Sequence, residues 1–368
     1  MKLLVVQPYL TGLGGAERFV LNVARHYRAT VACVKYEKDR TFKEFEEVNV
    51  VQENRHLNNH SLGLYYWNLK VKQDYDLIIA NLAPSDLTRH NNAPVLYYSH
   101  DPKKGLLEPL LMDWALSFRI SYFISNAGYR LLLSRVAGKF ESIATNSEYT
   151  AERLRKQLRR EDINVIYPGI KITDYYDGSD GKYFLFVGRV DPKKRIEYAI
   201  TAFKLFSRLN NQYKLFLALS GSSNSNYFRN IEREIKNNNN IEIVWNSDER
   251  RLKSLYAEST AVLFSSKEEP FGLVPLEGMA SYKPVISVNE GGPRETIIDG
   301  KTGFLVNSPK EMAEKMQMLA ENPSLRDEMC KNARKHVEKN FTWKVFFSKF
   351  DKLIRKTIKI YYNQNGRS

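Results

Sequence analysis

The chain is poor in cysteine. Cys33 and Cys330 are its only two. They cannot build a disulfide framework, and neither has a neighbour at metal-ligand spacing. A reducing compartment is the natural reading. Long apolar runs are also missing. The nearest approach, 106–124, is interrupted by Glu108, Pro109, Asp113 and Arg119, so no membrane-spanning helix is expected. The first residues, MKLLVVQPYL, have no small-residue cleavage site and read as a first strand, not a signal peptide. There is no internal repeat and no long linker. No carboxylate or histidine cluster has ligand spacing, so no metal is expected. No recognisable nucleic-acid motif appears.

Acidic charge is scarce: 42 Asp and Glu stand against 56 Lys and Arg, a net charge of +14. The surplus is uneven, because from Lys344 to Ser368 seven basic residues face one acid, Asp351. A basic tail fits an anionic partner, whether nucleic acid, phospholipid or charged substrate, and it equally fits a solvated helix face.

What is present is an ordinary globular composition, 43% hydrophobic and 27% charged. The 368 residues correspond to two domains at about 150 residues each. Apolar runs of strand length occur at 3–7, 30–34, 76–81, 95–100, 142–147 and 164–169. A second set occurs at 183–189, 214–221, 241–245, 261–266 and 284–288. Stretches with apolar residues at i, i+3, i+4 separate most of them. Strands alternating with helices imply parallel sheets covered on both faces, hence an α/β chain of two doubly wound, Rossmann-like domains. The turn-rich segment YPGIKITDYYDGSDGK is the best boundary. The expected division is 1–170, 171–340 and a closing helix 341–368.

Ligands of such sheets bind at the C-terminal strand ends, so the loops there carry the candidates. In TGLGGAER, Gly14 and Gly15 precede a helix, and Glu17 stands where a dinucleotide fingerprint has its third glycine. The loop reads as a close-approach turn or a plain tight turn. In FVGRVDPKKR, Asp191 is the expected cap and Pro192 the first residue of a helix. Lys193, Lys194 and Arg195 then load its positive end with cations, which makes sense if an anion lies between them. Arg189 and Lys194 would clamp it, with Lys193 and Arg195 facing solvent.

SSKEEPFGLVPLEGMA is the most specific loop. Glu269 and Glu277 are separated by seven residues, with Phe271, Gly272 and Leu273 at the turn into a helix. Carboxylates accept from vicinal hydroxyls, so this pair beside exposed amides fits a sugar, a ribose and a diphosphate between them. NEGGPRETI repeats the strand–glycine–helix turn. His100 ends the strand LYYSH, where it could donate to a sugar hydroxyl or a carbonyl. Asn146 and Ser147 end another strand, and capping accounts for Ser147.

GGAER, SHDP, TNSEYT, YPGI, GRVDPKK, EPFGLVPLEGMA and GGPRETI, in this order, resemble the signatures of the retaining glycosyltransferases of family 4, which have the GT-B fold. The resemblance covers nearly the whole chain. It implies an acceptor-side N-terminal domain, a nucleotide-sugar-binding C-terminal domain and a last helix that crosses back to the first domain. It implies that Arg189 and Lys194 bind the donor diphosphate and that Glu277 binds the ribose. Glu269, with the amides of Phe271, Gly272 and Leu273, would contact donor sugar and phosphate. Gly14 and Gly15 would line the N-terminal side, and His100 would lie near the sugar C6 hydroxyl. The donor is a co-substrate, and neither metal nor cofactor is implied. Asp74-Tyr75-Asp76 resembles the DxD triad of the other glycosyltransferase fold, but it precedes LIIAN and reads as a strand-start turn.

The expectation is a metal-independent hexosyltransferase that moves a sugar to a glycan or lipid-linked acceptor with an α-linkage. GDP-mannose is the favoured donor, and UDP-glucose or UDP-N-acetylglucosamine is the alternative. A basic nucleic-acid-binding module is the reading of another class, and Glu269 and Glu277 would repel its phosphates. A cytoplasmic protein in peripheral contact with anionic membrane is expected, through the basic tail and the aromatic-rich segment 110–123. On the last helix, Phe346, Phe350, Leu353 and Ile354 are expected to pack inward while Lys349, Lys352, Arg355, Lys356 and Lys359 face outward.

Overall fold

The computed structural model describes residues 1–52, 74–82, 85, 88, 93–101, 127–128, 131, 133, 135–221, 223 and 225–365. The segment 110–123 lies outside them. The chain forms two compact units, Met1–Tyr167 with Phe347–Ser368, and Pro168–Phe346.

The first unit is built on a seven-stranded parallel sheet. Its strands are β1 (Leu3–Val6), β3 (Thr30–Cys33), β5 (Val50–Gln52), β6 (Leu77–Asn81), β7 (Val95–Ser99), β8 (Ser142–Thr145) and β9 (Ile163–Val165), in the order β5-β3-β1-β6-β7-β8-β9. Two short strands, β2 (Tyr9–Leu10) and β4 (Lys35–Tyr36), pair separately. Every residue of β1, β6, β7 and β8 is buried, the signature of a sheet covered on both faces. The helix α1 (Gly15–Tyr27) buries Phe19, Val20, Val23 and Ala24 and ends where Arg28 turns left-handed. In α2 (Glu148–Leu158), Ser147 caps the helix by accepting from the Thr150 amide at 3.0 Å, as its sequence position implies.

The second unit repeats the plan with six parallel strands. These are β10 (Tyr183–Arg189), β11 (Lys214–Ser220), β12 (Ile241–Trp245), β13 (Ala261–Phe264), β14 (Val285–Val288) and β15 (Gly303–Val306), in the order β12-β11-β10-β13-β14-β15. Its helices are α3 (Ile196–Ser207), α4 (Asn226–Ile235), α5 (Glu249–Glu258), α6 (Leu273–Ala280), α7 (Pro293–Thr296), α8 (Pro309–Glu321) and α9 (Pro323–Asn340). Phe184, Phe186, Ile200, Phe203, Leu217, Met312 and Met316 form one core on this sheet. The edge strands β5 and β15 had no counterpart among the apolar runs of the sequence. With three and four residues, they are too short to establish a period.

In each sheet the chain runs outward from its first strand and then resumes on that strand's other side. This puts a topological switch point between β1 and β6 in the first unit and between β10 and β13 in the second.

The last helix is α10 (Trp343–Gln364), and from Phe347 onward it belongs to the first unit. Phe346, Phe350, Leu353, Ile354 and Thr357 are buried. The Phe350 ring lies 6.4 Å from Phe19 and 6.1 Å from Tyr98. Thr357 donates to Ser142 at 2.8 Å, and Tyr27 donates to Asp351 at 2.7 Å. Lys349, Lys352, Arg355, Lys356 and Lys359 are exposed. No helix among the described residues is long and apolar enough to cross a membrane.

Arg334 of α9 ties the second unit together. Its Nη1 lies within hydrogen-bonding distance of three carbonyl oxygens, Ala280 at 2.6 Å, Tyr175 at 3.1 Å and Ile172 at 3.3 Å. Nε donates to Glu338 at 2.6 Å, and the guanidinium covers the Tyr282 ring at 5.0 Å. It thereby closes the C-terminal end of α6, where unpaired carbonyls collect. Arg334→Met should cost about 2–4 kcal/mol, because the carbonyls keep their burial and lose their donor. Chemical denaturation checks this, and a loss under about 0.5 kcal/mol, the scale of an ordinary surface change, would contradict it.

Candidate functional site in the strand-end loops

In the second unit, β10 ends on Arg189, whose side chain is exposed. A single 3-10 turn, Pro192–Lys194, follows, capped by Asp191, which accepts from the Lys193 amide at 2.9 Å. Arg195 then adopts φ 47° and ψ 53°, and α3 begins after it. The one helix expected from Pro192 is therefore two pieces, and Arg195 is no solvent-facing cation. Its Nε donates to the Ser265 carbonyl at 2.7 Å, its Nη1 pairs with Glu290 at 3.0 Å, and its guanidinium lies over Tyr198 at 5.5 Å. Among the described residues its buried Nη2 has no hydrogen-bond partner. These distant contacts outweigh a left-handed backbone that costs roughly 1–2 kcal/mol in a non-glycine residue.

The loop after β13 is laced to this turn. The Lys267 amide donates to the Lys193 carbonyl at 2.8 Å. Ser265 Oγ lies 2.9 Å from the carbonyl oxygens of both Lys194 and Arg195. Lys194 Nζ meets Glu269 Oε2 at 2.6 Å, with side chains only 20% and 24% exposed. Two residues singled out on separate loops thus form one ion pair. Lys193 is exposed, as its position implied.

The loop after β14 joins them. Gly292 donates its amide to the Glu269 carbonyl at 2.8 Å. Gly291 has φ 65°, and a Cβ there would come within 2.4 Å of that oxygen, so only glycine allows the approach. Gly272, at φ 90°, precedes α6 with no side-chain cap. The first amides of α6, beginning at Leu273, thus form an uncapped positive helix end. Pro275 has no amide to leave unpaired there. Phe271 is buried. Glu277, one turn further along α6, accepts from the Tyr256 hydroxyl at 2.8 Å. Sequence reasoning missed Tyr256, because only the packing of α5 beside α6 identifies it. Together these loops offer the cations Arg189 and Lys194, the amides at the start of α6 and a carboxylate held by Tyr256, which is the chemistry of a ligand with an anionic centre and hydroxyls.

In the first unit, Gly14 precedes α1 without a side-chain cap and Gly15 opens the helix. A Cβ on Gly14 would lie 2.7 Å from Glu17 Oε2, so that carboxylate covers the glycine loop. His100, just after β7, uses Nε2 on Asn81 Oδ1 at 2.8 Å, and its carbonyl accepts from Asn146 at 2.8 Å. Its ring packs edge-on against Phe19 with centroids 4.9 Å apart. Burial pushes its imidazole down to about 3, so the ring is neutral at ordinary pH. Gln7 and Asn81 join this site, although the sequence had marked neither. Asp76 accepts from the Lys2 amide at 2.6 Å, an anchor at the start of β6.

Two family models match consecutive parts of the chain. One is Glycosyltransferase Family 4, over residues 13–174, and the other is Glycosyl transferases group 1, over 176–336. The chain is 25% identical to the alpha-1,3/1,6-mannosyltransferase ALG2 of Dictyostelium discoideum, an alignment covering 97% of this chain and 98% of that protein. It is 26% identical to the human alpha-1,3/1,6-mannosyltransferase ALG2, with 94% of each covered. Among solved structures, Anabaena Alr3699/HepE in complex with UDP-glucose superposes with a TM-score of 0.76 at 20% identity, covering 96% of this chain and 99% of that one. Sucrose-phosphate synthase of Thermosynechococcus elongatus gives 0.75 at 18% identity, covering 97% and 98%. Motifs, two parallel Rossmann-like sheets and matching models at both halves lead to one conclusion: the chain is a GT-B glycosyltransferase and belongs to family 4.

Proposed function

We propose that the strand-end loops of the second unit hold a nucleotide-sugar donor and that the enzyme transfers its hexose with retention of configuration. The observation that carries this reading is the joining of Lys194 to Glu269 and of Glu269 to Gly292, beside the uncapped start of α6. In this reading Arg189 and Lys194 take the diphosphate, the former with a planar fork and the latter as a point charge. The amides of Phe271, Gly272 and Leu273 complete the anion site. Glu277, held by Tyr256, accepts from the ribose hydroxyls, and Glu269 faces donor sugar and phosphate. Gly14, Gly15 and His100 of the first unit act on the sugar and acceptor side.

Breaking the anomeric C–O bond moves negative charge onto the departing diphosphate. Arg189, Lys194 and the α6 amides then bind the transition state more strongly than the ground state. Retention follows a front-face path, in which the leaving phosphate oxygen takes the proton of the acceptor hydroxyl as the new bond forms. Neither metal nor cofactor is required.

The donor favoured is GDP-mannose, supported by relatives named as alpha-mannosyltransferases over nearly the whole chain. A UDP-sugar is the second reading, favoured by the structural neighbour bound to UDP-glucose. The acceptor is a glycan or a lipid-linked glycan. Protection against thermal unfolding by GDP, UDP and ADP discriminates the bases, since a ligand at about 100 times its Kd adds roughly 2.7 kcal/mol. Glu277→Gln and Lys194→Ala should each lower kcat about 10²–10³-fold with the fold intact, and wild-type turnover should persist in EDTA. Near-normal turnover of either variant at saturating donor would refute the assignment, and a loss in EDTA restored by Mg²⁺ would refute the metal-free path.

The exposed face of α10, with Lys349, Lys352, Arg355, Lys356 and Lys359, supports a cytoplasmic enzyme held peripherally on the inner face of an anionic membrane. Each such charge contributes about 1 kcal/mol near that surface and is screened within about 8 Å at physiological salt. Vesicle binding should need anionic lipid and low salt, and should fall when Lys352, Arg355, Lys356 and Lys359 are neutralised. Equal co-sedimentation with neutral and anionic vesicles would leave α10 only its packing role.

A further inference from the structure

Three side chains link the end of β1 to His100. Gln7 directly follows β1, Asn81 ends β6, and His100 follows β7, so all three stand at or beside the switch point of the first sheet. Gln7 and Asn81 are 1% and 0% exposed. Gln7 Nε2 donates to the Tyr9 carbonyl at 3.1 Å, Asn81 Nδ2 donates to Gln7 Oε1 at 2.5 Å, and Asn81 Oδ1 faces His100 Nε2 at 2.8 Å.

The direction of this chain is fixed at its far end. The Tyr9 carbonyl can only accept, so Gln7 must turn its NH₂ toward it and its oxygen toward Asn81. Asn81 must answer that oxygen with its own NH₂, which leaves Oδ1 for the ring. Nε2 must then carry the hydrogen. Turning either amide round would set two donors or two acceptors head to head, so only this orientation satisfies every partner.

We propose that Gln7 and Asn81 are positioning residues that hold His100 as the Nε2–H tautomer, so that Nδ1 is presented as an acceptor for a hydroxyl of the transferred sugar. The hydroxyl contact rests on the donor reading above, whereas the tautomer does not. The expectation that His100 donates to substrate is thereby reversed: its one hydrogen is spent on Asn81.

A second proton would create a desolvated cation, and nothing charged among the described residues faces the ring to stabilise it. Its neighbours are Phe19 of α1, Tyr98 of β7, Asn81 of β6, and Asn146, which reaches its carbonyl. Tyr98 is titratable, but its hydroxyl donates to the Ile166 carbonyl at 2.8 Å and burial raises it well above its usual range. The nearest charge along the chain, Asp101, is paired with Arg153 at 3.6 Å.

¹⁵N spectroscopy of the histidine rings in the full-length protein tests this directly, with His100→Gln used to assign the resonance. The expected ring has a protonated Nε2 and a bare Nδ1 from about pH 5 to about pH 8. Gln7→Met removes the oxygen that orients Asn81, so the tautomers should mix and kcat/KM for transfer should fall on the order of tenfold. Asn81→Asp keeps an acceptor for Nε2–H but adds a charge that favours imidazolium. Its transfer should approach wild type at high pH and disappear as pH falls and Nδ1 takes up a proton, whereas a merely structural defect would lower transfer equally at every pH. A proton on Nδ1 in the wild type, an unchanged ring in Gln7→Met, or a pH-independent loss in Asn81→Asp would each overturn the proposal. Should Gln7→Met fail to fold, the wild-type ring and the Asn81→Asp profile still decide. A wild-type Nε2–H ring in a protein that accepts no nucleotide sugar would overturn the donor reading and the hydroxyl contact, and would leave the tautomer standing.

Discussion

The placement of function in this protein depends on strand direction. Every strand of both main sheets runs parallel, so each sheet gathers all its C-terminal ends on one edge. The chain then reverses its lateral course beside the first strand of each sheet, which separates two loops and opens room between them. Gln7 and Asn81 flank that opening in the first unit, with His100 one strand further on. Arg189 and the Ser265–Glu269 loop flank it in the second. Charge and hydrogen bonding refine these sites, but the topology has already decided where they are.

The two units handle polarity differently. The second keeps its ions in pairs, Lys194 with Glu269 and Arg195 with Glu290. Such pairs tolerate partial burial because each charge answers another. The first unit uses neutral amides and a neutral imidazole, whose order comes from donor and acceptor matching. The proposed roles, a charged diphosphate in the second unit and sugar hydroxyls in the first, make opposite electrostatic demands of this kind.

Much of this was legible in the sequence. Strands such as YFLFVGR and LIIAN are continuous apolar runs, and their burial on both faces requires that composition. Residue type alone singled out Lys194, Glu269 and the glycines of the loops after them, and the structure joins Lys194 to Glu269 and Glu269 to Gly292. Tyr256, Gln7 and Asn81 escaped because each acts through a partner 19 to 74 residues away, and no local pattern encodes such a partner. The helix start at Pro192 was misplaced for the same reason. Cap chemistry favoured a helix there, and contacts from Ser265 and Glu290 broke it at Arg195.

That break has a consequence for portability. Residues 189–196 do not favour the turn they make, since Arg195 holds a left-handed backbone against its own preference. The compensating bonds come from residues 70 and 95 positions away. The turn is therefore a property of the assembled unit, not of the octapeptide that carries the motif. Grafted onto another scaffold without counterparts of Ser265 and Glu290, the same letters would relax toward an ordinary helix and carry Lys194 away from its carboxylate.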